Sequence, residues 1–182
     1  MEAITTTRLI LRPWLLSDAP DMYKYSANPE VGPPAGWKPH ESLEESLAVI
    51  KMFIEKDDCW AITLRDSGGL IGSIGLHGDP VRPGINSRML GYSVYRPFWG
   101  HGFATEAAQA ALSHAFDALG LNVVSVFHFP ENARSKRVIE KCGFTFEGTL
   151  RHAHVIYDGT AKDSVCYSML RSQYYDRKGS AK

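Results

Sequence analysis

The stretch Met89–Leu119 constrains this chain more than any other. Met89–Tyr95 reads as a strand, and Pro97–Gly102 holds too much proline and glycine for a regular element. Ala104, Ala107, Ala108, Ala111, Leu112, Ala115, Phe116 and Leu119 then recur at helical spacing until Gly120 stops them. Alanines on a buried face mean close approach of the helix to a sheet. At the junction, Gly100 and Gly102 let successive N–H groups point into one concavity, and the helix start adds its own free N–H groups and dipole. Such a junction binds an anion, most often a phosphate or pyrophosphate. The bland alternative is a tight strand-to-helix turn that binds nothing.

The other segments complete an α/β pattern. Arg8–Trp14 is a strand ended by Pro13, and Ser17 and Asp18 cap a short helix reaching Ser26. Asn28–His40 carries four prolines and two glycines in thirteen residues, which excludes a regular element. Trp37 within it points to packing over the core or over a ligand. Ser42 and Glu45 form a capping box, with Leu43, Leu47, Ile50 and Ile54 at helical spacing to about Lys56. Cys59–Leu64 and Leu70–Leu76 are strands joined by the turn Asp66–Gly69, and a longer loop spans Gly78–Gly84. Asn122–Phe129, rich in valine and uncharged, suits a strand buried on both faces. Ala133–Cys142 is amphipathic and Gly143 ends it; Phe144–Tyr157 and Asp163–Leu170 form a closing hairpin around Asp158-Gly159. This order predicts one α/β sandwich on a mixed sheet. A single domain spans 1–182, with its core at about 7–171 and a C-terminal tail at 172–182.

Composition excludes several functions. Lys plus Arg number 20 and Asp plus Glu number 20, so no basic face awaits a nucleic acid. No apolar run approaches the roughly 18 residues of a membrane span, and the N-terminus lacks a hydrophobic signal region. Cys59, Cys142 and Cys166 lack metal spacing and read as reduced thiols of a cytoplasmic protein, with no metal site expected. A dinucleotide fingerprint fails at Thr105 and for want of a carboxylate in Asn122–Phe129, and no Gly-Lys-Ser/Thr triplet occurs. The cradle therefore lacks the marks of a nicotinamide or ATP site.

Four segments together resemble the GNAT superfamily of acyl-coenzyme A-dependent N-acetyltransferases, within it the ribosomal-protein N-terminal acetyltransferases. They are Thr7–Trp14, Leu90–Leu112, Glu131–Arg151 and Tyr157–Leu170. The resemblance implies a mostly antiparallel mixed sheet with flanking helices, in which Met89–Tyr95 and Asn122–Phe129 run parallel and splay apart. It implies acetyl-CoA as cosubstrate and coenzyme A as product. The pantetheine arm would lie in the splay beside Ser93, Val94 and Tyr95, with a backbone N–H near Val94 facing the oxyanion. The pyrophosphate would rest on Trp99, Gly100, His101, Gly102, Phe103, Ala104 and Thr105. Pro97 and Trp99 depart from the superfamily's Gln/Arg-x-x-Gly-x-Gly/Ala loop in the manner of this branch, which leaves binding to backbone amides. Asn132 resembles a pantetheine ligand, and Ser135 the hydroxyl that protonates the departing thiolate. Both also suit a plain helix start.

Some members of the branch carry a glutamate where this chain has His154, and an imidazole can do the same task as base. By strand alternation His152 and His154 share a face, which could equally be a solvated edge or a weak metal pair. The acceptor site is expected between Asn28–His40 and Arg151–Tyr157: Glu30 holds the ammonium, Trp37 covers it and His154 takes its proton. Glu30 acting through water is the next candidate base. The implied activity is acetyl transfer to a primary amine, a protein N-terminus or a small molecule, by direct attack in a ternary complex. A non-catalytic acyl-CoA sensor and a nucleotide-binding regulatory domain are the rival readings. The amine acceptor is the expected partner, without nucleic acid or membrane, and a homodimer is left open.

Overall fold

The structure, a computed structural model, describes residues 1–180. Its strands are β1 (Ile4–Thr5), β2 (Leu9–Arg12), β3 (Cys59–Leu64), β4 (Leu70–Gly78), β5 (Ser87–Val94), β6 (Val123–His128), β7 (Thr145–Val155) and β8 (Ala161–Leu170). They form one sheet in the order β1-β2-β3-β4-β5-β6-β8-β7. Every neighbouring pair is antiparallel except β5 and β6. The helices are α1 (Ala19–Ser26), α2 (Leu43–Lys56), α3 (Phe103–Ser113), α4 (Ala133–Cys142) and α5 (Arg171–Ser180). This is the α/β architecture that the resemblance implied. No helix of the described residues is long and apolar enough to cross a membrane.

The alanine stripe explains how closely α3 approaches the sheet. Ala107, Ala108, Ala111 and Ala115 are completely buried, in one cluster with Ile62, Ile74 and Val124. On the other side of the sheet, Trp14, Met22, Tyr25 and Ile50 form a second cluster. The parallel pair is short. Only Ser87–Met89 and Val123–Ser125 are in register, and beyond them β5 and β6 continue without pairing.

Two expectations change, and the C-terminal tail gains a structure. Asp18 does not cap α1 with its side chain; its carboxylate accepts two Arg12 N–H groups at 2.7 Å each and the Leu15 N–H at 2.9 Å. That charged fork fixes the end of β2 to the start of the helical layer. The expected tail is helical through Ser180, as α5, while residues 181 and 182 lie outside the described residues. Tyr174 stacks on Phe116 at 4.9 Å, Lys178 reaches Asp117 at 2.8 Å, and Arg177 donates to the Gly143 carbonyl at 2.7 Å. Finally, β7 bulges: Leu150 pairs with Ser164, and the next pair is His154 with Lys162. Four steps on one strand meet two on the other, with His152 at φ 50° and its N–H on Asp163 at 2.8 Å. Simple alternation of His152 and His154 therefore fails.

Candidate active site

Where β5 and β6 part, a cavity of about 840 Å³ opens from the start of α3 through the sheet to the Asn28–His40 loop. Its backbone walls follow from strand alternation. The Tyr95 N–H donates to the Ile71 carbonyl at 2.7 Å, so Ser93 and Tyr95 turn their backbone groups toward β4. Tyr92 and Val94 turn theirs toward the gap. This corrects the assignment of Ser93 and Tyr95 backbone to pantetheine. Ser93 stays on the cavity wall through its hydroxyl, 2.9 Å from that of Ser73, whereas Tyr95 does not line the cavity.

The glycine turn has the expected form. Gly100 and Gly102 hold φ values of 80° and 81°, and Gly102 precedes α3 without a side-chain cap. The Glu106 N–H is bonded to the Gly102 carbonyl at 3.0 Å, which leaves the earlier N–H groups of Phe103, Ala104 and Thr105 at the open helix start. Arg8 holds this start from behind, donating to the His101 carbonyl at 2.9 Å and to Glu106 at 2.7 Å. The His101 ring stacks on Phe103 and does not line the cavity, against expectation. Trp99 lines it, but its indole N–H is committed to the Val94 carbonyl at 2.6 Å, and the Arg134 guanidinium lies 4.1 Å from its ring centroid. Arg134, Arg137 and Lys141 line the same end. Sequence reasoning missed these three cations, although their i, i+3, i+7 spacing marks one helical face.

Asn132 and Ser135 reach the cavity from the first turn of α4. The Asn132 carbonyl oxygen accepts the Ser135 N–H at 3.0 Å, and its amide donates to the Pro34 carbonyl at 2.9 Å. Asn132 thus caps the helix and clamps the proline-rich loop. The Ser135 hydroxyl lies 2.8 Å from that of Tyr92, which also reaches the Ser135 carbonyl at 3.2 Å. Burial pushes the Tyr92 phenol well above its usual range, so it stays protonated. Nothing in the strand pattern singled out Tyr92.

The opposite end is largely apolar, walled by Val31, Trp37, Phe53, Phe127 and Phe129. Trp37 lies so close to Gly32 that a β-carbon there would sit 2.6 Å from the indole. Glu30 is the one carboxylate on the wall among the described residues, and it is ion-paired with Arg96. His154 lines the wall from exposed β7, its ring 5.1 Å from Phe127 and 5.9 Å from Phe129. Two further groups, neither assigned to the site from sequence, stand here. Cys59 is buried here, and burial first of all pushes its thiol up to about 12. His77 faces the cavity with Nδ1 3.0 Å from the Asp58 carboxylate.

Comparison with known proteins agrees with this geometry. A family model described as an acetyltransferase (GNAT) domain matches residues 8–145. The Bacillus subtilis protein named "Uncharacterized N-acetyltransferase YoaA" is 32% identical over 173 residues, covering 92% of this chain and 96% of its own. Among solved structures, a GNAT-family acetyltransferase from Bacillus anthracis superposes with a TM-score of 0.84 at 23% identity, covering 93% of this chain and 99% of that one. The ribosomal-protein-S5-alanine acetyltransferase of Vibrio fischeri gives 0.75 at 19% identity, covering 96% and 99%. Both structures share the fold.

Proposed function

The chain belongs to the GNAT acetyltransferase family, and on that footing we propose that it transfers the acetyl group of acetyl-CoA to a single primary amine borne on an apolar body. The observation that carries this reading is the splay, where β5 and β6 abandon each other after Met89 and Ser125 and the gap joins the open N-terminus of α3. The cavity suits the cosubstrate. The N–H groups of Tyr92 and Val94 offer an extended chain the pairing that β6 withholds. The turn at Gly100–Gly102 offers N–H groups to a pyrophosphate, and Arg134, Arg137 and Lys141 add positive charge beside it. Bound there, acetyl-CoA supplies the activated acyl group.

The protein's own part is to orient and to move protons. Val94 directs its N–H to the side on which carbonyl charge would develop. Ser135, hydrogen-bonded to Tyr92, holds a hydroxyl on the cofactor side as proton donor to the leaving sulfur. Cys59, held as a thiol, is a poor nucleophile, which favours direct attack by the amine over an acyl-cysteine. Trp37, Phe53 and Phe127 suit an apolar acceptor, and Glu30, already paired with Arg96, leaves no spare carboxylate for a polycation. The Vibrio fischeri neighbour acts, by its name, on a ribosomal protein, and a peptide N-terminus with an apolar side chain meets the same demands.

Calorimetry with coenzyme A, and thiol release from acetyl-CoA with phenethylamine, a leucine-headed tripeptide and spermidine, test the reading. Binding is expected, with turnover on the first two amines and little on spermidine. Binding without thiol release for any amine would establish the sensor alternative. Preference for spermidine would refute the acceptor class.

A further inference from the structure

We propose that His77, oriented by Asp58, is the base that takes the acceptor ammonium's proton, in place of the His154 expected from sequence. The inference rests on the acetyltransferase reading above and names the group that its acceptor half requires. Its first support is position. His77 pairs across the sheet with Met89, the last β5 residue in register with β6. Its ring extends from there over the next glycines of the two strands. A β-carbon on Gly75 would lie 2.6 Å from Nε2, and one on Gly91 would lie 3.3 Å from the same atom. Nε2 therefore lies over the β4–β5 pair, nearer Gly75 and level with Gly91, two residues past the point at which the parallel pair ends, and the ring lines the cavity. Side chains at 75 and 91 would deny the ring that place.

The second support is orientation. Asp58 sits just before β3, and its carboxylate takes the Nδ1 proton at 3.0 Å. That bond fixes the tautomer, so the lone pair is on Nε2. Nε2 makes no hydrogen bond with the described residues, and the side chain keeps 33% exposure. The other Asp58 oxygen is buried without a hydrogen-bond partner, which makes the imidazole the chief partner of that carboxylate and holds the ring in one orientation. His154 has none of this support. It stands on the exposed edge strand beside a two-residue bulge, and aromatic rings are its neighbours.

The proton count closes. His77 Nε2 accepts one proton from the ammonium. The freed nitrogen lone pair forms the new C–N bond at the thioester carbonyl carbon, and the C–S bond breaks with its electron pair on sulfur. A second nitrogen proton replaces the one that Ser135 passes to sulfur, and His77 returns its proton to solvent. Ammonium and thioester thus yield amide, thiol and one proton.

The test uses the full-length protein with acetyl-CoA and whichever of phenethylamine or the leucine-headed tripeptide turns over. His77→Gln fills the space over the glycines and can still bond Asp58, but it cannot carry a proton. His77→Gln and His77→Ala should each lower kcat/KM for the amine by about a hundredfold, with coenzyme A affinity within twofold of wild type. Asp58→Asn should lower kcat about tenfold in wild type and have no further effect on top of His77→Gln, because a positioning residue acts through the group it positions. A wild-type protein that binds coenzyme A and acetylates neither amine would sink the acetyltransferase reading and this proposal together. An active wild type whose His77→Gln variant keeps kcat/KM within threefold overturns the base alone. So does a hundredfold loss confined to His154→Ala. An Asp58→Asn effect that persists in the His77→Gln background overturns the dyad.

Discussion

At Gly102 the backbone φ of 81° is a conformation that a β-carbon makes costly, while the nearest obstacle to such a carbon is an Arg8 nitrogen at 3.5 Å. Conformation rather than crowding therefore reserves the position for glycine. Gly102→Val should turn the helix start away from the pyrophosphate proposed there and raise the coenzyme A dissociation constant at least tenfold, about 1.4 kcal/mol by calorimetry. Unchanged affinity in a folded variant would refute the cradle. Ser135 calls for a different measurement. Its N–H already serves the Asn132 cap, and that bond survives Ser135→Ala, so folding should change by no more than about 1 kcal/mol. What disappears is the hydroxyl 2.8 Å from Tyr92. Lower kcat with a nearly constant KM for acetyl-CoA is the expected pattern. Wild-type kcat under chemistry-limited conditions would leave Ser135 as a helix-start residue.

Among the elements, α5 shows how a polar segment can belong to the fold. Lys178, hydrogen-bonded to Asp117 with help from Ser113 and Tyr174, holds that carboxyl down at about 2. A depressed carboxyl stabilises the fold above its ordinary value near 3.8, and the contribution fades as pH falls toward 2. Because the network is solvent-exposed, Asp117→Asn should cost only about 0.5–1 kcal/mol at neutral pH in urea unfolding, and nothing near pH 2. A deficit that persists at pH 2 would contradict the linkage. The same element marks the limit of reading by periodicity. The alanine stripe of α3 and the uncharged β6 were legible because their apolar patterns are long and regular. Helix α5 offers chiefly Tyr174 and Tyr175 against a run of polar residues, and β1 has two residues, too few for any period. The site divides likewise. The glycine turn, Asn132 and Ser135 are local in sequence and could be read. His77 and Asp58 meet across the β3–β4 hairpin, 19 positions apart, and Tyr92 meets Ser135 across 43. No spacing rule announces such meetings.

Taken whole, the molecule is two part-sheets joined along three residue pairs, Ser87–Met89 with Val123–Ser125. A ligand filling the gap beyond them would bridge the halves. Coenzyme A at a hundred times its dissociation constant should add about 2.7 kcal/mol of stability. Hydrogen exchange should slow most at the amides of Tyr92 and Val94, which face the gap; slowing spread evenly over the sheet would place the ligand elsewhere. The indoles give the same architecture an optical meaning. Trp60 is 1% exposed and does not line the cavity, so its emission stays blue and constant whatever the cavity holds, whereas Trp14, 4% exposed, lies 5.6 Å from the ring of Phe53 on the cavity wall. Trp99 stands under Arg134 at the end proposed for the cosubstrate, and Trp37 borders the end proposed for the acceptor. With one silent fluorophore as reference and one responsive fluorophore at each end, the chain carries its own gauge of which half of the cleft is filled.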